Sequence, residues 1–388
     1  MRILVFLPCL TLGGAERQGL LVARYLQDRG HDVEVWGFPS PGGRATLLPE
    51  LRSHGLRHRE LPSWPRLDWW FSQSGPSFAY FRGYCGWLKR RLAFTGKVPR
   101  RKFEVIIPFT FWPSLIGCLM RERLGAKRAF WNHRGGYDDA GMLYSPFLTK
   151  RVLSHRPQFL ANSRAGGKFL EDTFGLSSAQ VTIMPNAYAA DLEGSKSESA
   201  PTNSPSSELS LIQVANLYPE KDYDTLLRAL QILNARGAVC RLHLCGEFPS
   251  ASDRPKFFAR VRELGIEHCI VHHGSIGRQE VFQLLLHSDI GLLSSKSEGQ
   301  PNSVMEYMYI GLPVVATNIP GIREVVGEEN EQWLFEVGDA EGLAGLITRL
   351  KENPALRAEL GLRNRRRIIE QFGPERVLPR WAELVERG

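Results

Sequence analysis

Several features are scarce in this chain of 388 residues, and each scarcity narrows what the protein can be. The six cysteines, Cys9, Cys85, Cys118, Cys240, Cys245 and Cys269, are scattered. With no Cys-x-x-Cys pair and no histidine at zinc-finger spacing, neither a disulfide framework nor a metal site is predicted. A long charge-free apolar stretch, from Val105 to Met120, contains Pro108 and Pro113. It falls short of the ~20 residues that a membrane-spanning helix needs. Only Arg2 precedes the first apolar run, and Gly13-Gly14 follows too soon for a signal-peptide core, which predicts an unprocessed chain in a reducing cytoplasm. No Gly-x-Gly-x-x-Gly follows that run, which argues against a dinucleotide-dependent oxidoreductase.

What is present looks globular. With 43% hydrophobic and 23% charged residues the composition is that of an ordinary folded protein, and the length exceeds what one core usually organises, so two domains are predicted. The net charge of +8, from 49 basic and 41 acidic residues, favours anionic partners such as phosphates or a lipid surface. No base-reading motif accompanies it, so nucleic acid is not expected.

Apolar runs of strand length alternate with helical patterns, the mark of βαβ units and parallel sheets covered on both faces. In the first half, strands are predicted at 3–7, 33–36, 105–108, 128–131, 158–161 and 181–184. After a Ser- and Pro-rich stretch the alternation restarts, with strands at 209–215, 241–245, 269–272, 290–293, 313–316 and 333–335. The predicted class is α/β with two doubly wound Rossmann-like domains: residues 1–190, a linker over 191–208, and residues 209–373. A final helix over 374–388 exceeds what the second sheet needs and is expected to cross back to the first domain.

Between the strand at 290–293 and a helix opening near Asn302 lies a small-residue loop, Ser297-Glu298-Gly299-Gln300-Pro301. Ligands of open parallel sheets bind outside the carboxyl ends of the strands, and a helix starting there directs its N–H groups and positive dipole end at an anion. Glu298 and Glu306 would flank that anion and accept hydrogen bonds from hydroxyls. Alternatively, Ser303 through Glu306 is a capping box in which the glutamate satisfies a backbone donor.

Glu298-x7-Glu306, followed by Gly311-Leu-Pro-Val-Val-Ala-Thr317 and Gly321-Ile-Arg-Glu324, resembles the C-terminal signature of retaining GT-B glycosyltransferases, glycosyltransferase family 4 (group 1). The resemblance implies a GT-B fold, with the two Rossmann-like domains facing each other across a cleft. It also implies a nucleotide-sugar donor, with UDP-sugars favoured, and no cofactor or metal. By resemblance, Glu298 and Gly299 lie by the donor sugar, Glu306 binds the ribose, and the Asn302-Ser303-Val304 amides hold the diphosphate. Gly13 and Gly14 resemble the family's first glycine-rich loop, where the absent side chains let backbone approach a ligand. Lys221 matches a cation that neutralises the diphosphate, whereas Asn216 stands where the family carries an arginine; Arg323 or Arg278 could compensate. His133 falls where the family places a histidine near the transferring sugar, with Arg134 adjacent for phosphate or acceptor. Asn162-Ser163 and Pro185-Asn186 resemble two further landmarks, with Ala187 replacing a glycine.

The implied activity is front-face transfer with retention to a glycan or lipid-linked acceptor, in bacterial-type surface polysaccharide or glycolipid synthesis. The implied catalytic residues are His133, Glu298 and Lys221. Residues 61–101 are dense in aromatic and basic side chains, among them Trp69, Trp70 and Lys89-Arg90-Arg91. They read either as an interfacial patch on an anionic membrane, placing the protein on the cytoplasmic face of the inner membrane, or as a helical insertion packing on the first domain. The competing functions are a nucleotide-sugar epimerase of the same fold and a non-catalytic subunit of a membrane transferase complex.

Overall fold

Strands whose residues are buried on both faces dominate the computed structural model, which describes residues 1–11, 13–39, 45–62, 102–136, 146–188 and 208–387. In chain order the first set of elements is β1 (Arg2–Phe6), α1 (Gly14–Asp28), β2 (Asp32–Gly37), α2 (Leu48–Ser53), β3 (Arg57–Glu60), β4 (Val105–Pro108), α3 (Phe111–Leu119), β5 (Arg128–His133), α4 (Pro146–Ser154), β6 (Gln158–Ala161), α5 (Arg164–Phe174) and β7 (Val181–Ile183). They build a parallel sheet in the order β3-β2-β1-β4-β5-β6-β7. The second set is β8 (Leu209–Val214), α6 (Tyr223–Ala235), β9 (Cys240–Cys245), α7 (Asp253–Glu263), β10 (Ile270–Gly274), α8 (Arg278–Leu286), β11 (Ile290–Leu293), α9 (Asn302–Ile310), β12 (Val314–Thr317), α10 (Pro320–Val326), β13 (Leu334–Phe335), α11 (Ala340–Glu352), α12 (Pro354–Phe372) and α13 (Pro374–Glu386). Its parallel sheet runs β10-β9-β8-β11-β12-β13.

The β-branched and leucine-rich runs of β1, β4, β8 and β11 explain these orders. A strand apolar on both faces is stable only in the middle of a sheet covered by helices on both sides. Ile3, Val5, Ile106 and Ile107 are fully buried in the first sheet, as are Leu211, Ile212, Ile290 and Leu293 in the second. Each sheet reverses its strand order once among the described residues, between β1 and β4 in the first and between β8 and β11 in the second. Such a switch point opens a crevice at the carboxyl ends of its two central strands.

The chain divides into two units, Met1–Pro185 with Leu378–Gly388, and Asn186–Val377. Helix α13 therefore changes allegiance along its length. Within the first unit, Trp381 stacks on Phe109 with ring centroids 5.9 Å apart. Arg128 donates to the carbonyls of Leu384 and Val385, cations at a helix C-terminus being favoured by its free carbonyls and its dipole. In the second unit, the back of α9 is fixed by Tyr307, a fully buried ring whose hydroxyl accepts the Val214 N–H at 2.6 Å.

Strand β3 was not predicted, because Arg57-His-Arg-Glu60 has no apolar alternation. It is an edge strand paired only with β2 among the described residues, and its charges are answered there: Arg57 pairs with Asp32, and Arg59 lies 3.8 Å from Glu34. Charge on an edge also discourages pairing with another chain.

Candidate functional site

The loops after β8 and β11 are bonded to each other. Ser294 Oγ donates to the Asp222 carbonyl at 3.0 Å, Ser295 Oγ to the Glu220 carbonyl at 3.2 Å, and the Lys296 N–H to that same carbonyl at 2.7 Å. Asp222 takes a left-handed backbone conformation (φ 42°), and its carboxylate accepts from Thr225 Oγ1 at 2.8 Å. These contacts bring the Lys221 ammonium onto the Glu298 carboxylate as an ion pair, with the side chains 18% and 13% exposed. Two of the three predicted catalytic side chains are thus in contact at the switch point of the second sheet.

The rest of the loop is held from two sides. A Cβ on Gly321, in the first turn of α10, would lie 2.1 Å from the Gly299 carbonyl oxygen and 2.3 Å from that of Glu298. Only glycine allows that approach. From the other side, Asn186 Nδ2 donates to the Gln300 carbonyl at 3.0 Å and to Asn302 Oδ1 at 2.8 Å, while its backbone N–H donates to Gln300 Oε1. Asn186 is 4% exposed and grips the segment that leads into α9.

Helix α9 begins at Asn302 with Pro301 at its N-cap, and no side chain caps it. The capping box read at Ser303 through Glu306 is therefore not formed: the N-cap falls two residues earlier, at Pro301, and Ser303 lies inside the first turn. The peptide N–H groups of that turn belong to Asn302, Ser303 and Val304, and the helix dipole adds positive potential there. Glu306, one turn on, is buried.

Asn216 does not supply the charge of the arginine that the resemblance implies at its position. Its side chain is exposed, and its Oδ1 accepts the Glu247 N–H at 3.0 Å, bracing the turns after β8 and β9. Glu247 Oε1 extends the brace by accepting the Ser275 N–H at 3.0 Å. An amide in this arrangement adds no positive charge beside Lys221.

In the first unit, His133 closes β5. It is 7% exposed, stacks on Phe169 with centroids 4.7 Å apart, and donates from Nε2 to the Gly136 carbonyl at 3.2 Å. Arg134 turns away from the role read for it. Its guanidinium lies 4.9 Å from the Phe109 ring centroid and 5.4 Å from that of Trp381, and donates to the Met184 carbonyl at 3.2 Å. It is a packing cation that desolvation holds below the usual guanidinium pKa. Ser163 caps α5 by accepting the Gly166 N–H at 3.0 Å, so that landmark serves the helix start.

Gly13 precedes α1 in extended backbone, and a Cβ there would lie 2.3 Å from Glu16 Oε2. Glu16 was not singled out from the sequence. Its carboxyl is buried beneath the glycine turn and accepts from Cys9 Sγ at 3.1 Å. Burial raises its pKa, and the same desolvation pushes the Cys9 thiol up to about 11. The available signal was an acidic residue in the first turn of a helix that follows a glycine pair. The aromatic and basic region, residues 63–101 in particular, lies outside the described residues.

Residues 12–192 match the model of Glycosyltransferase Family 4, and residues 195–367 match that of Glycosyl transferases group 1. The chain belongs to this glycosyltransferase family. Among family relatives it is 28% identical over 185 residues to the amylovoran biosynthesis glycosyltransferase AmsK of Erwinia amylovora, covering 46% of this chain and 45% of that one. It is 22% identical to the 2-deoxystreptamine N-acetyl-D-glucosaminyltransferase of Niallia circulans over 96% of this chain and 97% of the relative. The match thus spans under half the length of the first relative and nearly all of the second. Among solved structures, Anabaena HepE in complex with UDP and glucose superposes with a TM-score of 0.76 at 17% identity over the whole of both chains. The fold of the chain is GT-B. No helix among its described residues is long and apolar enough to cross a membrane.

Proposed function

We propose that this protein transfers a sugar, with retention of anomeric configuration, from a UDP-sugar to a glycan or lipid-linked acceptor in bacterial surface polysaccharide or glycolipid synthesis. The observation that carries the reading is the contact between Lys221 and Glu298 at the switch point of the second sheet, beside the start of α9. Before donor arrives, the ammonium is neutralised by the carboxylate. A donor diphosphate offers it a stronger, doubly anionic partner and frees Glu298 to accept hydrogen bonds from sugar hydroxyls. As the bond to the sugar breaks, negative charge grows on the leaving diphosphate. Lys221 and the Asn302, Ser303 and Val304 amides are fixed in advance to stabilise that charge, and groups that act more strongly on the transition state than on the ground state accelerate the step.

UDP is favoured because the HepE structure holds UDP and glucose. A polysaccharide acceptor is favoured because AmsK is named for amylovoran biosynthesis. No metal or cofactor has a part in the proposed step. Glu306 would bind the ribose and Gly13 and Gly14 would lie against a ligand, while His133 would stand near the transferred sugar; all four assignments rest on family resemblance.

The test is incubation of purified protein with a panel of UDP-sugars and a glycan or polyprenyl-phosphate acceptor, following UDP release and the anomeric configuration of the product by NMR. Product with the donor's configuration, lost in Lys221→Ala and Glu298→Ala, is expected. Isomerised donor without transfer points to an epimerase. Transfer that survives both substitutions overturns the site. The amide at Asn216 favours a second reading, a non-catalytic subunit, which predicts UDP binding with no turnover of any donor.

A further inference from the structure

A cavity of about 750 Å³ opens within the first unit at the end of the sheet where β5 and β6 begin, the end opposite His133. Four arginines line it: Arg128 at the start of β5, Arg156 just before β6, and Arg380 and Arg387 on and just beyond α13. The one carboxylate in the lining, Glu383, pairs with Arg387 at 3.0 Å. Among the described residues, Arg128, Arg156 and Arg380 have no ion-pair partner. Arg128 donates to two carbonyls of α13 and to Gln158 Oε1, and Arg380 donates to the Ile183 carbonyl at 2.6 Å. Arg156 is exposed in left-handed backbone (φ 46°).

Positive charges gathered in a concave site repel one another and concentrate anions, because low-dielectric walls focus the field. Neutral partners fix Arg128 and Arg380 in place without cancelling their charge. Planar guanidinium forks held in this way suit the oxygens of a phosphate. The volume exceeds what a bare anion fills, and Leu153, which is 38% exposed, and Leu176 supply an apolar wall beside the charges.

We propose that this cavity is an accessory anion site that takes the phosphate group of an amphipathic molecule, with the phosphate at Arg128, Arg156 and Arg380 and the apolar part against Leu153 and Leu176. It is separate from the donor site, since its residues lie on the first unit at the amino ends of the strands. The phosphate reaches it either on a soluble ester or on a lipid headgroup.

The experiment uses the full chain carrying Lys221→Ala, which weakens phosphate binding at the donor loop, with and without Arg156→Gln and Arg380→Gln. Calorimetry with inorganic phosphate is expected to show binding that weakens on the order of a hundredfold in the double arginine variant, since each hydrogen bond to a charged group is worth about tenfold. Co-sedimentation with phosphatidylglycerol vesicles, against phosphatidylcholine, separates the sources. Arginine-dependent capture by the anionic vesicles assigns a headgroup, whereas phosphate binding without capture assigns a soluble ester. Arg156→Gln alone, at an exposed residue, serves if the double variant does not fold, with a loss of at least about threefold expected. Absence of phosphate binding, or binding of phosphate and vesicles that the arginine substitutions leave unchanged, overturns the proposal.

Discussion

Lys221 and Glu298 are 77 residues apart in sequence and meet as an ion pair, one following β8 and the other following β11. Because each occupies the other, their substitutions should not behave as independent losses. Lys221→Ala is expected to lower kcat/KM for the proposed UDP-sugar transfer on the order of 10²–10³-fold, the range seen when one fixed electrostatic stabiliser is removed. Its effect on stability should be about 1–3 kcal/mol, since a largely buried Glu298 carboxylate loses its partner. Steady-state kinetics beside urea unfolding separates the two. Turnover within about twofold of the parent rules out the role given to Lys221.

Asn186→Ala removes the amide donor to Gln300 and Asn302 while leaving its backbone bond in place. One buried and one half-buried acceptor then lose a partner, which costs about 1–3 kcal/mol. The melting temperature should fall, and UDP affinity measured by calorimetry should fall with it, because the loop entering α9 is no longer pinned. Lower stability with unchanged UDP affinity would place Asn186 in the scaffold alone.

Gly321→Ala and Gly345→Ala should have opposite signs. At Gly321 the added methyl meets the carbonyl oxygens of Glu298 and Gly299, so the loop must shift, at a cost of about 1–3 kcal/mol and most of the turnover. At Gly345, inside α11, nothing lies within 4 Å of the new Cβ, and alanine should stabilise the helix by roughly 0.5–1 kcal/mol. Thermal melts of the two variants side by side provide the check.

How much of this was legible beforehand depended on whether the signal was local. Strands such as 105–108 and 290–293 were read with their observed bounds, because residues buried on both faces leave an uninterrupted apolar run. Two doubly wound α/β domains followed from that alternation, and the GT-B class from the family resemblance of the motif around Glu298 and Glu306. β3 escaped, since its place is set by pairing with β2 and not by its own side chains. The capping box at Ser303 was a sound local pattern that Pro301, one residue ahead of the helix start, forestalled. The meeting of Lys221 with Glu298 depends on β8 lying beside β11, and the grip of Asn186 on Gln300 spans 114 residues. Neither spacing is written in any window of sequence.

Stability of the second unit should also depend on pH through His243 and His273, whose Nδ1 and Nε2 atoms lie 2.9 Å apart. The pKa of each is lowered, first by desolvation. His243 is lowered further by His273 and Arg241 and His273 by His272, with Glu208 and Glu280 opposing. The unfolded chain therefore binds more protons, so stability rises with pH across this window. The penalty is absent above the ordinary value of 6.5, grows as pH falls through it, and levels off below the folded values. Urea unfolding between about pH 8 and pH 5 should show the decline, and His243→Gln should flatten it.

The passage of α13 from one unit to the other has a consequence for biosynthesis. Trp381 and the carbonyls of Leu384 and Val385 complete packing around Phe109 and Arg128, residues made far earlier in translation. Domains generally fold in the order they leave the ribosome. Here the first unit emerges lacking its last helix, while Asn186–Val377 has all its parts before that helix is finished. The first unit is therefore completed last, when the carboxyl-terminal segment emerges after the whole of the second unit has been made.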